Sequence, residues 1–199
     1  MVALSKIMYA DNTLIQRAQA NDRAAFNEIV LRYKSKIHNY LFRMVRSASD
    51  AEDLTQETFI RAYLSIHTFQ SRASLNTWLF RIATNLCIDY SRKNKNHIAT
   101  QSLSIEDDED NGSQRDIPDL AFDPQRLLLN RELGKRLDEA LCQLPERLRT
   151  VVLLYDIEGL SYEEIALVVG TPLGTVKSRL FHARVQLREI LLPYLQEKL

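Results

Sequence analysis

The segment 171–188 combines several basic side chains with a complete lack of carboxylates. Its cationic or titratable residues are Lys177, Arg179, His182, Arg184 and Arg188. The chain as a whole is balanced, with 26 basic and 26 acidic residues, so this bias is local. Arg and Lys on a helix can reach guanine edges and phosphates in the major groove of DNA. The composition therefore favours duplex DNA binding, with a solvated basic face on an ordinary amphipathic helix as the alternative.

The elements that would position this segment can be read from its borders. Ser161 followed by Glu164 is a capping box, which predicts the start of a short helix. Gly170 ends that helix, and Thr171-Pro172 starts a longer one, which we expect to run to about residue 198. A helix, a tight turn and a second helix form the helix-turn-helix layout. Apolar and small side chains can fill its seam, namely Ile165, Ala166, Val169, Val176 and Leu180.

A second set of side chains suits single-stranded DNA. Within a predicted helix over about 75–94, three- and four-residue steps place Trp78, Arg81, Asn85 and Arg92 opposite an apolar stripe. Aromatic rings stack on bases for roughly 1–3 kcal/mol each, while cations follow the phosphate backbone. The alternative for Trp78 is a plain core aromatic.

A third set lies on a predicted helix over about 50–66, which Ser49 and Glu52 would open as a capping box. One face of this helix carries Asp53, Gln56, Glu57 and Ile60. Acids near a helix start often only complement the helix dipole, so these residues alone do not identify a binding surface.

The helical periodicity of the chain predicts an all-α fold with two small helical domains. We expect an N-terminal tail (1–10), a first domain (11–96) broken near Asn21 and Asp22, a flexible acidic linker (97–124) and a second domain (125–199), which Asp123-Pro124 opens. Net charges of +6 for residues 1–96, −7 for 97–124 and +1 for 125–199 also separate these parts. Such asymmetry suggests that the folded parts bind a polyanion.

Enzymatic chemistry has little support in the sequence. The acidic run 106–110 lacks a scaffold for a metal, and the four histidines have no paired ligand spacing. We find no phosphate-binding glycine loop and no nucleophile motif, and therefore predict no catalytic residues, no metal and no cofactor. Two distant cysteines, and no apolar run long enough for a membrane span or signal peptide, predict a cytoplasmic protein.

The segment from Glu158 to Arg184, with its Ser-Tyr-Glu-Glu-Ile-Ala and Gly-Thr-Val-Lys-Ser-Arg-Leu-Phe-His-Ala-Arg motifs, resembles region 4 of extracytoplasmic-function (ECF) RNA polymerase sigma factors. By this resemblance the second domain reads the −35 promoter element. The expected contacts are Thr175, Lys177, Ser178, Arg179, Phe181, His182 and Arg184.

Residues 50–63 are similar to region 2.2 of the same family, which implies that Asp53, Gln56, Glu57 and Ile60 bind core polymerase. The following passage is similar to regions 2.3 and 2.4, which capture and open the −10 element. The residues expected there are Phe69, Trp78, Arg81, Asn85, Arg92 and Lys93, with Phe69 and Asn85 placed to hold a flipped base.

The resemblance implies a non-enzymatic transcription initiation subunit. Its expected partners are promoter DNA, the β′ clamp helices and β flap of core polymerase, and an anti-sigma factor, with no small-molecule substrate. A stand-alone helix-turn-helix regulator is the remaining alternative, and it would bind duplex DNA tightly without polymerase.

Overall fold

A computed structural model describes the backbone of residues 2–70, 73–100 and 124–196, and within these ranges every regular element is helical. The helices are α1 (Val2–Gln19), α2 (Arg23–Val45), α3 (Ala48–Ser65), α4 (Leu75–Thr100), α5 (Pro124–Gln143), α6 (Glu146–Val152), α7 (Tyr162–Val169) and α8 (Leu173–Gln196). A 3₁₀ turn (Ile66–Thr68) follows α3, and a π-helical turn (Leu153–Ile157) follows α6. The all-α prediction is confirmed. No helix in the described ranges is long and apolar enough to cross a bilayer.

The break between α1 and α2 lies where the sequence indicates it. Asn21 takes a left-handed conformation with φ 66°, which asparagine adopts more readily than most residues. Asp22 then caps α2, because its carboxylate accepts the amide protons of Ala24 and Ala25 at 2.9 and 3.2 Å. Helix α1 begins at Val2, earlier than the periodicity from residue 11 indicated.

The start of α3 differs from the expectation. Its N-cap is Ser47, whose hydroxyl accepts the Asp50 amide at 3.3 Å, and the Ser49–Glu52 capping box is wrong. Ser49 lies in the first turn, where its hydroxyl is 3.0 Å from that of Ser47. Arg46, with φ 61°, ends α2, and the next residue, Ser47, caps α3. Because the chain turns sharply at Arg46, α3 begins directly after it and not at Ser49.

Helices α1–α4 form the first module around a core that excludes solvent. The side chains with no exposed surface include Ile29, Ile37, Tyr40, Leu41, Leu79 and Phe80. The Tyr40 and Phe80 rings meet edge to face with 5.2 Å between their centroids, a favourable arrangement for aromatic pairs. A buried hydrogen bond of 2.8 Å joins the Tyr40 hydroxyl to that of Thr84, which fixes α4 against α2.

Helices α5–α8 form the second module. The capping box predicted for α7 is confirmed: Ser161 Oγ accepts the Glu164 amide at 3.1 Å and Glu164 Oε2 accepts the Ser161 amide at 3.0 Å. Gly170 ends α7 with φ 62°, a conformation that favours glycine. The π-helical turn Leu153–Ile157 was not predicted. Its Leu153 and Leu154 side chains are buried in the core.

The two modules pack against each other through charged and polar side chains, which the sequence did not predict. The polar contacts across this seam include Thr77 Oγ1 to Glu164 (2.7 Å), Arg149 Nη1 to the Met44 carbonyl (2.9 Å), Arg43 Nε to Asp138 (2.9 Å) and Lys36 Nζ to Glu158 (3.8 Å). Helix α4 continues to Thr100 and α5 starts at Pro124, whereas the acidic run 106–110 lies outside the described residues.

Candidate nucleic-acid interface

The helix-turn-helix places α8 with one buried and one open side. Val176, Leu180 and Ala183 are at most 2% exposed, and they recur at steps of four and three residues. On α7, Ile165 and Val168 are buried in the same core. The sequence predicted Val169 in this core, but Val168 is the buried valine and Val169 is only partly buried. Burial of this stripe turns the intervening positions of α8 outward.

The side chains predicted to read duplex DNA project mostly from that outward side. Lys177, Ser178 and His182 are exposed, and the Phe181 ring is 65% exposed. Thr175 and Arg179 are half-buried. Within the chain this ring meets the His182 ring edge to face at 5.6 Å between centroids, but most of its surface is open. It is therefore available for contact with a partner.

Arg184 differs from the other predicted duplex contacts. Its guanidinium donates two hydrogen bonds to Asp156 and lies 5.2 Å from the Tyr155 ring centre. The hydrogen bonds to Asp156 raise the pKa of Arg184. Tyr155 in turn stacks on Tyr162 at 4.8 Å, so Arg184 ties α8 to the π-helical turn and to α7. A DNA contact by Arg184 stays a prediction. In such a contact the Arg184 guanidinium would bind DNA and the Asp156 carboxylate at the same time.

On α4, the predicted strand-reading residues form an open row. Arg81, Asn85, Arg92 and Lys93 are exposed. Arg92 has a weak ion pair with Asp89 at 3.9 Å, and its side chain remains 75% exposed. The buried threonines of the same helix, Thr77 and Thr84, point toward the core and the seam, so the two faces of α4 are chemically distinct.

Two aromatic rings lie at the start of this row. Trp78 is half-buried, and Phe69 is only 8% exposed. Their ring centres are 5.0 Å apart with planes tilted by 56°. Trp78 is therefore both a core aromatic and a partly open ring, and Phe69 supports it from below. Phe69 as a direct base contact stays a prediction.

On α3, the predicted polymerase-binding face is open. Asp53 and Gln56 are exposed, Ile60 is 53% exposed, and Glu57 accepts a hydrogen bond from Arg61 at 2.7 Å. Leu64, one turn beyond Ile60, is 73% exposed and was not identified from the sequence, although its i, i+4 spacing from Ile60 was visible. Two exposed aliphatic side chains beside acids are suited to binding another protein.

A further residue near the aromatic pair was also missed. Gln19, at the end of α1, donates both amide protons to carbonyl oxygens of the 3₁₀ turn region, to Ile66 at 3.0 Å and to Phe69 at 2.9 Å. Its partners lie 47 and 50 residues away in sequence. No periodicity or local motif could have identified it.

The arrangement defines a DNA-binding protein with two helical modules. One presents the recognition helix of a helix-turn-helix, which carries no acid from its start to Arg188, and the other presents an aromatic, amide and basic row of the kind that binds unpaired strands. Comparison with known proteins agrees with this class. Residues 29–97 match the family described as Sigma-70 region 2, and residues 134–187 match Sigma-70, region 4.

Similar proteins cover almost the whole chain. An RNA polymerase sigma-H factor of Pseudomonas aeruginosa is 37% identical over 194 residues, which is 94% of this chain and 96% of that protein. An ECF RNA polymerase sigma-E factor of Haemophilus influenzae is 37% identical over 183 residues, or 92% and 96% of the two chains.

Two solved structures have a similar fold. The sigma factor RpoE in complex with the anti-sigma factor NepR, from Bartonella quintana, has a TM-score of 0.67 at 26% identity and covers 83% of this chain and 96% of its own. CnrH in complex with the cytosolic domain of CnrY has a TM-score of 0.65 at 25% identity, with 92% and 97% covered.

The chain therefore belongs to the ECF RNA polymerase sigma factors. The predicted resemblance is confirmed. A sigma factor is a transcription initiation subunit that directs core RNA polymerase to promoters, and it is not an enzyme. The conclusion against catalysis follows from this membership.

Proposed function

We propose that the outward faces of α3, α4 and α8 divide promoter recognition among three surfaces. Asp53, Gln56, Glu57 and Ile60 on α3 bind the β′ clamp helices. The α4 row with Trp78 and Phe69 captures and holds the −10 strand. The outward side of α8 reads the −35 element in the major groove, and the second module rests on the β flap.

One observation carries this assignment. On each of the three helices, the proposed contact residues lie opposite a stripe that is buried in the protein's own core, for example Arg81 and Asn85 opposite Leu79 and Leu86. Most of these side chains are therefore accessible to partners without unfolding, whereas Phe69 is buried and Arg184 is bonded to Asp156. A single-strand reader and a duplex reader in one chain also suit a promoter that is melted at one element and double-helical at the other.

Control by an anti-sigma factor is part of the proposal. Both similar solved structures are complexes in which the related protein is held by a partner, NepR in one and CnrY in the other. We infer that this protein acts in the cytoplasm, where polymerase and promoter DNA are available.

The test is transcription from a promoter library with purified core polymerase and this subunit. We expect transcripts that start downstream of paired −35 and −10 elements and none with core alone. Gel shifts with the free protein should show poor promoter binding that improves with core. Strong specific binding without polymerase would favour a stand-alone regulator, and no transcripts from any promoter would refute the proposal.

The surfaces can then be separated by one substitution on α3. Glu57→Lys reverses a charge on a side chain that is 42% exposed and pairs with Arg61. Association with core should weaken, while thermal stability should change little because surface pairs contribute less than about 1 kcal/mol. Unchanged association, measured by competition with a labelled chain, would remove this face from the proposed polymerase contact.

A further inference from the structure

The aromatic pair of the first module stands on a turn that is held from the far end of α1. Gln19 is half-buried, and its side-chain amide bridges two carbonyl oxygens, those of Ile66 and Phe69, at 3.0 and 2.9 Å. The Ile66 carbonyl also accepts the Phe69 amide at 3.1 Å. The backbone before and at Phe69 is thus fixed by three hydrogen bonds, two of which come from one side chain.

The Gln19 amide gives a partner to the Phe69 carbonyl and a second partner to the Ile66 carbonyl, both near the end of a helix. The last carbonyls of a helix lack intrahelical partners and need side chains or water instead. Here the carbonyl groups lie beside Phe69, which is 8% exposed, so water has little access to them. An amide that donates two protons suits this site because an acid or an apolar side chain of the same length donates none.

Gln19 is itself held in place. Near the middle of the same helix, Asp11 is 7% exposed and accepts a hydrogen bond from the buried Tyr33 hydroxyl, which fixes α1 to α2. At the far end, Arg17 pairs with the α2 cap Asp22 at 2.7 Å. Helix α1 therefore acts as a rigid support, and Gln19 transmits its position to the turn.

The next link in the chain of contacts is the aromatic pair. The Phe69 ring lies 5.0 Å from that of Trp78, the partly open ring at the start of the strand-reading row. A shift of the Phe69 backbone would displace the surface on which Trp78 rests. A site that captures a base needs positional accuracy of about half an ångström, and such accuracy depends on supporting contacts.

We propose that Gln19 is a positioning residue for base capture by the first module. It touches no DNA, and it acts by holding the turn that carries Phe69 beneath Trp78. The inference rests on the proposed −10 function of α4 and adds α1 to the machinery of that function.

The test uses full-length chain with core polymerase and a fluorescent single strand that carries the −10 sequence. Gln19→Met keeps length and removes both donors, Gln19→Glu keeps shape and removes both donors, and Gln16→Met on the exposed side of α1 is the matched control. We expect strand affinity to fall about tenfold for the two Gln19 variants, equivalent to 1.4 kcal/mol, and to stay unchanged for the control.

A strand series with one base removed at a time shows whether the effect is specific. In the wild type, one abasic position should weaken binding most, and it marks the captured base. On that strand the Gln19 variants should lose little more, because the interaction that Gln19 supports is already gone. Equal loss on every strand would overturn the positioning role, as would wild-type affinity of Gln19→Met for the intact strand.

Two controls distinguish a failure of the Gln19 role from a failure of the proposed −10 function of α4. Thermal melting should show all three variants folded at the assay temperature; if Gln19→Met is not, the isosteric Gln19→Glu decides the outcome by the same strand series. Wild-type holoenzyme that fails to bind the strand at all would contradict the proposed function instead, since it tests α4 without any change at Gln19.

Discussion

The two DNA-reading surfaces of this sigma factor are built in different ways. On α8 the proposed duplex contacts, such as Lys177 and Phe181, stand outward on one helix, and the buried stripe beneath them is separate. In the first module the proposed strand contacts are partly in the core. Phe69 is buried, Trp78 is half-buried, and the turn beside them depends on Gln19 from another helix.

The difference fits what each surface is proposed to read. A major groove accepts a preformed helix, so local helix signals suffice to make the reader. An unpaired base must be stacked and enclosed, which requires side chains from several elements to meet. We therefore expect stability and reading to be separable on α8 and coupled on α4.

The largest expected effects come from two adjacent residues of α8. Leu180 is 2% exposed, and Leu180→Ala should reduce the free energy of unfolding by roughly 2–5 kcal/mol. Phe181 is 65% exposed, and Phe181→Ala should change stability by less than about 0.5 kcal/mol while it weakens −35 duplex binding. Urea unfolding and holoenzyme gel shifts measure the two quantities. If Phe181→Ala lowers the free energy of unfolding as much as Leu180→Ala does, stability and DNA binding are not separable on α8.

The coupling on α4 can be tested below its reading row. Thr84→Val leaves the buried Tyr40 hydroxyl without its 2.8 Å partner, which should lower the free energy of unfolding by roughly 1–3 kcal/mol. Because Thr84 is next to Asn85, we also expect weaker binding of the −10 strand. Adding Tyr40→Phe should restore part of the stability, since both polar groups are then absent. If strand affinity is unaffected by Thr84→Val, the coupling is limited to the turn near Phe69.

On the duplex side, Arg179→Ala should cost roughly 1–3 kcal/mol of −35 discrimination if its guanidinium reads a base. The free energy of unfolding should stay nearly unchanged in Arg179→Ala, in contrast to Thr84→Val. Binding of holoenzyme to −35 variants at several salt concentrations makes the measurement. A uniform loss across sequences with a shallower salt dependence would instead assign Arg179 to a phosphate.

The same contrast decides what could be predicted from the sequence. The helix-turn-helix was predictable because its borders are marked by neighbouring residues, with Ser161 and Glu164 at one end of α7 and Gly170 at the other. The row Arg81, Asn85 and Arg92 followed from helical spacing alone. Ser47 was overlooked because Ser49 offers the same chemistry two residues later, and only the sharp turn at Arg46 decides between them.

The contacts that were missed join residues that are far apart in the chain. Gln19 reaches Phe69 over 50 residues, and Thr77 reaches Glu164 over 87. Each of these side chains is polar and fits a surface position equally well when its own helix is considered alone. Only the packing of helices determines which of them has a partner, so propensity and periodicity cannot identify them.

The smallest expected effect is at Glu164, where the two modules meet. Burial alone would raise the pKa of this carboxyl, but hydrogen bonds from the Ser161 backbone, Thr77 and Ser74 outweigh it, and the pKa lies below its usual value of 4.5. A lowered pKa means that Glu164 stabilises the folded chain above its unfolded pKa and loses this contribution as the pH falls through the folded pKa. The carboxylate also lies at the N-terminal end of α4, where the helix dipole favours negative charge.

Glu164→Gln should keep the capping box of α7, because glutamine can accept the same bond, and remove only the charge. Near neutral pH the variant should be less stable than the wild type by under about 1 kcal/mol, as for other partly exposed charges. That difference should shrink as the pH falls below 4.5, and Glu163→Gln, which removes the charge of an exposed neighbour, is the control. Urea unfolding across this pH range measures it. If the free energies of unfolding of the two variants depend on pH in the same way, the charge of Glu164 does not link the second module to α4. The two proposed DNA-binding surfaces are then independent as well as differently built.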